Sequence, residues 1–84
     1  MPNVTIYTRL GCGYCTAARR LLQQKKIDFL EIDATGAPEK RAEMIQRSGR
    51  MTFPQIFVGD RHVGGCDDLF ALDRRGELDA LVPA

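Results

Sequence analysis

The chain has 84 residues, of which 44% are hydrophobic and 27% charged, and this length accommodates one domain over residues 1–84 and excludes two. Twelve Lys and Arg residues against eleven Asp and Glu residues give a formal charge of +1, which argues against nucleic acid as a partner because binding a phosphate backbone requires a basic surplus. The longest apolar run is four residues, at 69–72, so we expect no membrane span, which needs about 20.

The start of the chain and its cysteine count indicate a compartment. The first residues lack a basic segment followed by an apolar one, so we expect no secretory signal and a cytoplasmic protein. Three cysteines are an odd number, and in a reducing compartment they suit redox or metal chemistry better than a disulfide framework.

The first elements in chain order are a strand and a helix. Residues 4–8 alternate at the period of a strand. Over residues 13–26, the spacing of Ala18, Leu21 and Leu22 indicates one buried face of a helix. The boundary between these two elements falls at residues 9–12.

The rest of the chain predicts five further elements. They are a strand at residues 29–32, a helix that opens at residues 36–39 and closes at Gly49, two strands at 55–58 and 61–63 joined by a two-residue turn, and a helix at 67–75. The order is β-α-β-α-β-β-α. A strand-helix-strand unit gives a parallel pair and a hairpin gives an antiparallel pair, so we predict an α/β fold with a mixed four-stranded sheet covered by helices.

The strongest motif is CGYC at residues 12–15, where the first strand gives way to the first helix. Residues i and i+3 of a helical turn lie about 5 to 6 Å apart, which a disulfide tolerates. Cys12 is expected at the helix N-terminus with Arg9 nearby, and both features favour its thiolate. The larger benefit is expected when Cys12 leaves a mixed disulfide, because a thiolate with a lowered pKa is also a weaker attacking group. Cys15, one turn deeper, suits a resolving role. The alternatives are a pair of small core residues or half of a zinc site.

Further motifs accompany the two cysteines. They are YTR at residues 7–9, RSGR at 47–50, TFPQIF at 52–57 and GGCDD at 64–68. With these motifs the sequence resembles the glutaredoxins, specifically their short bacterial dithiol type. The resemblance implies a thioredoxin-like fold and glutathione-dependent thiol-disulfide exchange by Cys12 and Cys15, with glutathione as co-substrate.

The resemblance also implies a glutathione site. Its residues are Arg9, Tyr14, Arg41, Thr52, Phe53, Pro54, Gly65, Cys66 and Asp67. The two arginines would face the glycine carboxylate, and Tyr14 would pack against the ligand. Pro54 corresponds to a cis-proline that leaves the backbone of Phe53 free to pair with the cysteine moiety. Gly65 allows close approach, the amides at Cys66 and Asp67 would bind the γ-glutamyl carboxylate, and Asp67 would receive the ammonium.

The resemblance suggests partners as well. Expected substrates are glutathionylated and disulfide-containing proteins, ribonucleotide reductase being one candidate by family analogy. The family usually has proline where this chain has Gly13, and relatives without it sometimes hold a [2Fe-2S] cluster between two subunits through residues equivalent to Cys12 and two glutathiones. A cluster carrier or sensor is therefore the alternative function. We expect a monomer, and a dimer only with a cluster bound.

Other readings remain open for particular residues. Cys12, Cys15, His62 and Cys66 formally supply a zinc ligand set, and a thioredoxin-like protein reduced by a flavoenzyme is a further rival. Cys66 is read either as a small buried residue or as a regulatory thiol that accepts glutathione. His62 is expected to be solvated. Met44, Met51, Phe57 and Phe70 are expected in the core.

Overall fold

A computed structural model of the protein describes residues 3–82. Its elements in chain order are β1 (Val4–Thr8), α1 (Gly13–Gln24), β2 (Phe29–Asp33), α2 (Pro38–Ser48), β3 (Gln55–Val58), β4 (Arg61–Gly64), α3 (Cys66–Arg74) and α4 (Leu78–Leu81). Within residues 3–82, none of the helices combines the length and the apolar character that crossing a bilayer demands.

The four strands form one mixed sheet in the order β2-β1-β3-β4. β1 pairs in parallel with β2 and antiparallel with β3, and β3 pairs antiparallel with β4. The predicted mixed four-stranded sheet is therefore confirmed. β1 lies in the interior of the sheet, and the loop that follows it leads directly into Cys12 and α1.

Successive side chains of a strand point to opposite faces, and this alternation in β1 divides the core in two. Val4 and Ile6 pack with α1, α3 and α4 in the larger cluster, whereas Tyr7 packs with Met44 of α2 and with Phe57 on the other face. Three helices therefore cover one face of the sheet and α2 covers the other.

Helix ends follow the predicted signals closely. Pro38 opens α2, and Gly49 closes it in the left-handed conformation with φ 72° while its amide donates to the Ile45 carbonyl at 2.7 Å. α1 ends at Gln24, two residues earlier than predicted, because Lys26 turns the chain with φ 58°. α4, a single turn anchored by the buried Leu78, was not predicted.

Two residues differ from the expected burial. Met51 is 62% exposed, so its assignment to the core is wrong: it lies in the loop between α2 and β3, where no element covers it. His62 is half-buried rather than solvated, because its ring stacks on Phe57 at 4.9 Å between centroids and its Nε2 bonds to Gln55.

Candidate active site

Cys12 occupies the position immediately before α1, as the sequence predicts. Its extended backbone (φ −101°, ψ 108°) directs the side chain over the start of the helix, where the Cys15 amide donates a hydrogen bond to Cys12 Sγ at 3.1 Å. Sγ also lies 3.8 Å from the Phe53 carbonyl oxygen. The amide at the helix N-terminus favours negative charge on this sulfur. The Phe53 carbonyl oxygen, in the loop before β3, accepts a weak hydrogen bond from the Cys12 thiol.

Cys15 lies in a different environment, although only one helical turn away. It is 1% exposed, and burial, followed by a hydrogen bond to Cys12, raises the pKa of Cys15 to about 12. At neutral pH Cys15 is therefore a protonated thiol that donates toward the sulfur of Cys12. Cys12 is 8% exposed, so both cysteines are largely buried and Cys15 is the deeper of the two.

Three surface cavities are lined by Cys12 or by Phe53, and each takes the name of one of its residues. The Asp67 cavity measures about 210 Å³, the Arg41 cavity about 420 Å³ and the Cys12 cavity about 390 Å³. The first two share Phe53, and the last two share Arg9. Cys12 lines the third cavity, and its Sγ lies 3.8 Å from the carbonyl oxygen of Phe53, a residue that lines the first two.

The Asp67 cavity brings together seven of the nine residues predicted for glutathione. They are Tyr14, Thr52, Phe53, Pro54, Gly65, Cys66 and Asp67. Tyr14 is 67% exposed, so its ring forms an open wall of the cavity. Cys66 is buried, and its burial, followed by the charge of Asp67, raises the pKa of that thiol. Cys66 is thus a buried thiol at the floor of the site.

The Arg41 cavity collects the other two predicted residues, Arg9 and Arg41, on the far side of Phe53. The Arg9 guanidinium lies 5.9 Å from the centre of the Phe53 ring. Among residues 3–82, no carboxylate forms an ion pair with either arginine. Both cations therefore remain available to an anion.

The peptide bond between Phe53 and Pro54 is cis, as the resemblance implied. Pro54 is fully buried, whereas Phe53 is half-buried and contributes to both the Asp67 and the Arg41 cavities. The loop before β3 thus presents its backbone between the two cavities and next to the sulfur of Cys12.

The loop before α3 depends on a glycine for its shape. Gly64 has φ 124°, and a Cβ placed on it would lie 2.8 Å from Cβ of Asp68. The Asp68 carboxylate can therefore fold back over Gly64, where its Oδ2 accepts a hydrogen bond from the Gly65 amide nitrogen at 2.9 Å. A side chain at position 64 would displace this cap.

Two further residues line the Asp67 cavity that the sequence reasoning did not select, Arg50 and Asp68. Arg50 Nη1 contacts Asp68 Oδ2 at 3.1 Å. The Gly65 amide and then Arg50 lower the pKa of Asp68. Asp68 stands three residues after Gly65, a spacing typical of helix caps. Arg50 ends the RSGR motif, but the motif does not signal that this side chain lines the cavity, because its partner is 18 residues away.

The residues present do not fit a metal or a cluster held by one chain. In the part of the chain that the structure describes, no three His, Cys, Asp or Glu side chains are arranged to hold a metal ion, so Cys12, Cys15, His62 and Cys66 do not converge as a zinc site. An iron-sulfur cluster needs four ligands, and two of the three cysteines, Cys15 and Cys66, are buried thiols with raised pKa values.

Comparisons with known proteins agree with this geometry. The sequence model of the family described as Glutaredoxin matches residues 4–63. Over 82 residues the chain is 55% identical to glutaredoxin 3 of Escherichia coli strain K12, covering 98% of this chain and 99% of that protein.

Two solved structures extend the comparison. The solution structure of glutaredoxin from Brucella melitensis is 61% identical, with a TM-score of 0.84 that covers 98% of this chain and 89% of the other. A crystal structure of a buckwheat glutaredoxin-glutathione complex is 26% identical, with a TM-score of 0.87 that covers 96% and 76%. In sequence and in its thioredoxin-like fold, the chain belongs to the glutaredoxin family, whose members are thiol-disulfide oxidoreductases that use glutathione.

Proposed function

We propose that this protein reduces protein-glutathione mixed disulfides through Cys12, and protein disulfides through Cys12 and Cys15 together. The single observation that carries the proposal is the hydrogen bond from the Cys15 amide to Cys12 Sγ at 3.1 Å, at the open end of α1. It supports negative charge on the outer sulfur, while the inner cysteine keeps its proton.

The reaction with a glutathionylated protein uses one cysteine. The Cys12 thiolate attacks the glutathione sulfur, the protein thiolate leaves and takes up a proton, and glutathione remains bonded to Cys12. A second glutathione thiolate then attacks the bound glutathione sulfur, so that oxidised glutathione leaves and Cys12 is restored as a thiolate. A stabilised thiolate is a good leaving group, and this second step benefits from it.

The reaction with a protein disulfide uses both cysteines. After Cys12 has attacked and formed a mixed disulfide, Cys15 loses its proton and attacks the sulfur of Cys12. The remaining protein thiolate leaves and takes up a proton, and a Cys12–Cys15 disulfide forms. Two molecules of glutathione then reduce this disulfide and leave as oxidised glutathione. The hydrogen bond and the charge of Cys12 contribute to the raised pKa of Cys15 and end when Cys12 enters the mixed disulfide, whereas burial, the largest cause, persists. Cys15 is thus more acidic in the intermediate than in the reduced protein.

The surrounding cavities support the predicted arrangement of glutathione. Arg9 and Arg41, free of carboxylate partners within residues 3–82, suit the glycine carboxylate. The Phe53 backbone suits the cysteine moiety, and the first amides of α3 with Asp67 suit the γ-glutamyl carboxylate and ammonium. The glutathione complex of the buckwheat relative, at a TM-score of 0.87, supports binding of the same ligand here.

The proposal extends to partners and place of action. We infer that the protein works as a monomer in the cytoplasm on glutathionylated and disulfide-containing proteins, ribonucleotide reductase being one candidate by family analogy. Its 84 residues act as one domain.

The deciding experiment is turnover by the intact chain and by the matched variants Cys12→Ser and Cys15→Ser. With a glutathionylated peptide, Cys12→Ser should lose all activity and Cys15→Ser should retain it. With a protein dithiol disulfide as substrate, both variants should be inactive. Activity of Cys12→Ser on either substrate would reverse the assignment.

A further inference from the structure

A chain of hydrogen bonds runs from β4 to the loop before β3. Gln55, whose side chain is fully buried, donates from Nε2 to both the carbonyl oxygen and the hydroxyl oxygen of Thr52, each at 3.1 Å. Gln55 Oε1 lies 2.7 Å from His62 Nε2. His62, Gln55 and Thr52 are therefore connected side by side across the hairpin.

The donor and the acceptor of each of these hydrogen bonds can be assigned by elimination. The Thr52 carbonyl can only accept, so the amide nitrogen of Gln55 must face Thr52 and its oxygen must face His62. His62 therefore donates from Nε2. Burial and the charge of Arg50 lower the pKa of His62, against the opposing charge of Asp68, so the neutral ring carries its hydrogen on Nε2 near pH 7.

Of the three hydrogen-bonded residues, Thr52 is the one that faces the glutathione site. It lines the Asp67 cavity and immediately precedes Phe53 and Pro54, which line the same cavity. His62 lines none of the three cavities lined by Cys12 or by Phe53 and cannot touch a ligand there. Its ring is held in place by stacking on Phe57, at 4.9 Å between centroids.

We propose that His62 is a positioning residue for the glutathione site, acting through Gln55 to hold Thr52 and the segment of residues 52–54. The inference rests on the proposed function, because it concerns the site where that function takes place. Without the His62 donor, the buried oxygen of Gln55 has no partner among residues 3–82, and the amide is free to turn away from Thr52.

The test compares His62→Phe, which keeps a stacking ring but no donor, with His62→Gln, whose amide nitrogen reaches about as far as Nε2. The control is Val63→Ala, a neighbouring change in β4 on the larger core cluster. Two rates are measured: kcat/KM for a glutathionylated peptide, and alkylation of Cys12 by iodoacetamide, which needs no glutathione site. Thermal unfolding of every variant is recorded as well.

We expect His62→Phe to lower kcat/KM roughly five- to tenfold, as for the loss of one hydrogen bond, while the alkylation rate is unchanged. His62→Gln should restore kcat/KM, and Val63→Ala should lower the unfolding temperature without lowering kcat/KM. If His62→Phe fails to fold, His62→Asn, whose amide is too short to reach Gln55, should show the same loss.

The outcomes separate the two proposals. Absence of turnover by the unmodified protein would remove the proposed function itself. Normal turnover by the unmodified protein, with kcat/KM of the donor-free His62 variant no lower than that of Val63→Ala, would overturn the positioning role alone.

Discussion

At the scale of single residues, the two cysteines of one helical turn are separated by their surroundings. Cys12 receives an amide hydrogen bond at the start of α1, whereas Cys15 is buried and its pKa is raised to about 12. Identical side chains three positions apart therefore differ in their surroundings, and the Cys15 thiol keeps its proton at neutral pH. In the proposed function, this difference separates an attacking thiol from a resolving thiol.

Substitutions of glycine test how backbone conformation and close contacts contribute to stability. Gly64→Ala should destabilise the protein by about 2–4 kcal/mol, because φ is 124° and the new Cβ would collide with Asp68. Gly49→Ala, with φ 72° and no neighbour within 4 Å of its Cβ, should cost about 1 kcal/mol. Gly13→Ala, with open space and no positive φ, is the neutral control. Urea unfolding checks the order, and equal losses for Gly64→Ala and Gly49→Ala would contradict the role of Asp68.

At the scale of elements, α2 is held to the sheet by a polar contact within the smaller core cluster. The buried Tyr7 of β1 donates to Glu43 of α2 and accepts from Arg47 Nη1 at 2.8 Å. Arg47 also lies over the Phe57 ring, 4.1 Å from its centre. Burial, followed by the hydrogen bond to Glu43, raises the pKa of Tyr7, so the phenol stays protonated as a donor.

Removal of this hydroxyl should weaken the attachment of α2. We expect Tyr7→Phe to lower the free energy of unfolding by about 1–2 kcal/mol, because two charged side chains lose a partner. Tyr14→Phe is the matched control, since the Tyr14 ring is 67% exposed. Chemical denaturation of both variants measures the difference, and equal stability of the two would show that the Tyr7 hydroxyl contributes nothing.

An ion pair between α1 and β2 predicts a dependence of stability on pH. Arg19 donates twice to Glu31, at 2.9 and 2.7 Å, and Thr8 donates at 2.7 Å. Hydrogen bonding from Arg19 lowers the pKa of Glu31. Because the folded pKa lies below the unfolded value, the contribution is full above about pH 4.3 and is lost as the pH falls through the folded pKa.

Glu31→Gln therefore serves as the test of this pair. At pH 7 it should be less stable than the unmodified protein by up to about 1 kcal/mol, a magnitude typical of partly exposed pairs. At pH 3 the difference should shrink. Urea unfolding in reducing buffer at both pH values measures it, and a difference that grew on acidification would contradict the assignment.

At the scale of the whole molecule, the sequence predicted the features that local patterns determine, such as the positions and ends of the longer helices. The spacing of Ala18, Leu21 and Leu22 predicted α1, and Gly49 predicted the end of α2. The four residues of α4 carry too short a pattern to be recognised. Strand order and burial depend on contacts between distant segments, which is why the exposure of Met51 was predicted wrongly.

The residues of the candidate site also fall into two groups: those that sequence motifs predicted and those that only long-range contacts place. The cysteine motif and the cis bond before Pro54 were recognised because motif and family resemblance carry them. Arg50 was missed because its place depends on a contact with Asp68, and the burial of His62 was missed because it depends on Phe57 and Gln55. These contacts form only when the hairpin, the loop before β3 and α3 come together.

The proposed difference in reactivity between Cys12 and Cys15 is tested most directly by alkylation. The reduced protein is treated with iodoacetamide at pH 7, and the modified cysteines are mapped by mass spectrometry over time. With the pKa of Cys15 at about 12, Cys12 should react at least roughly a hundredfold faster than Cys15. Equal rates, or modification of Cys15 before Cys12, would contradict the account.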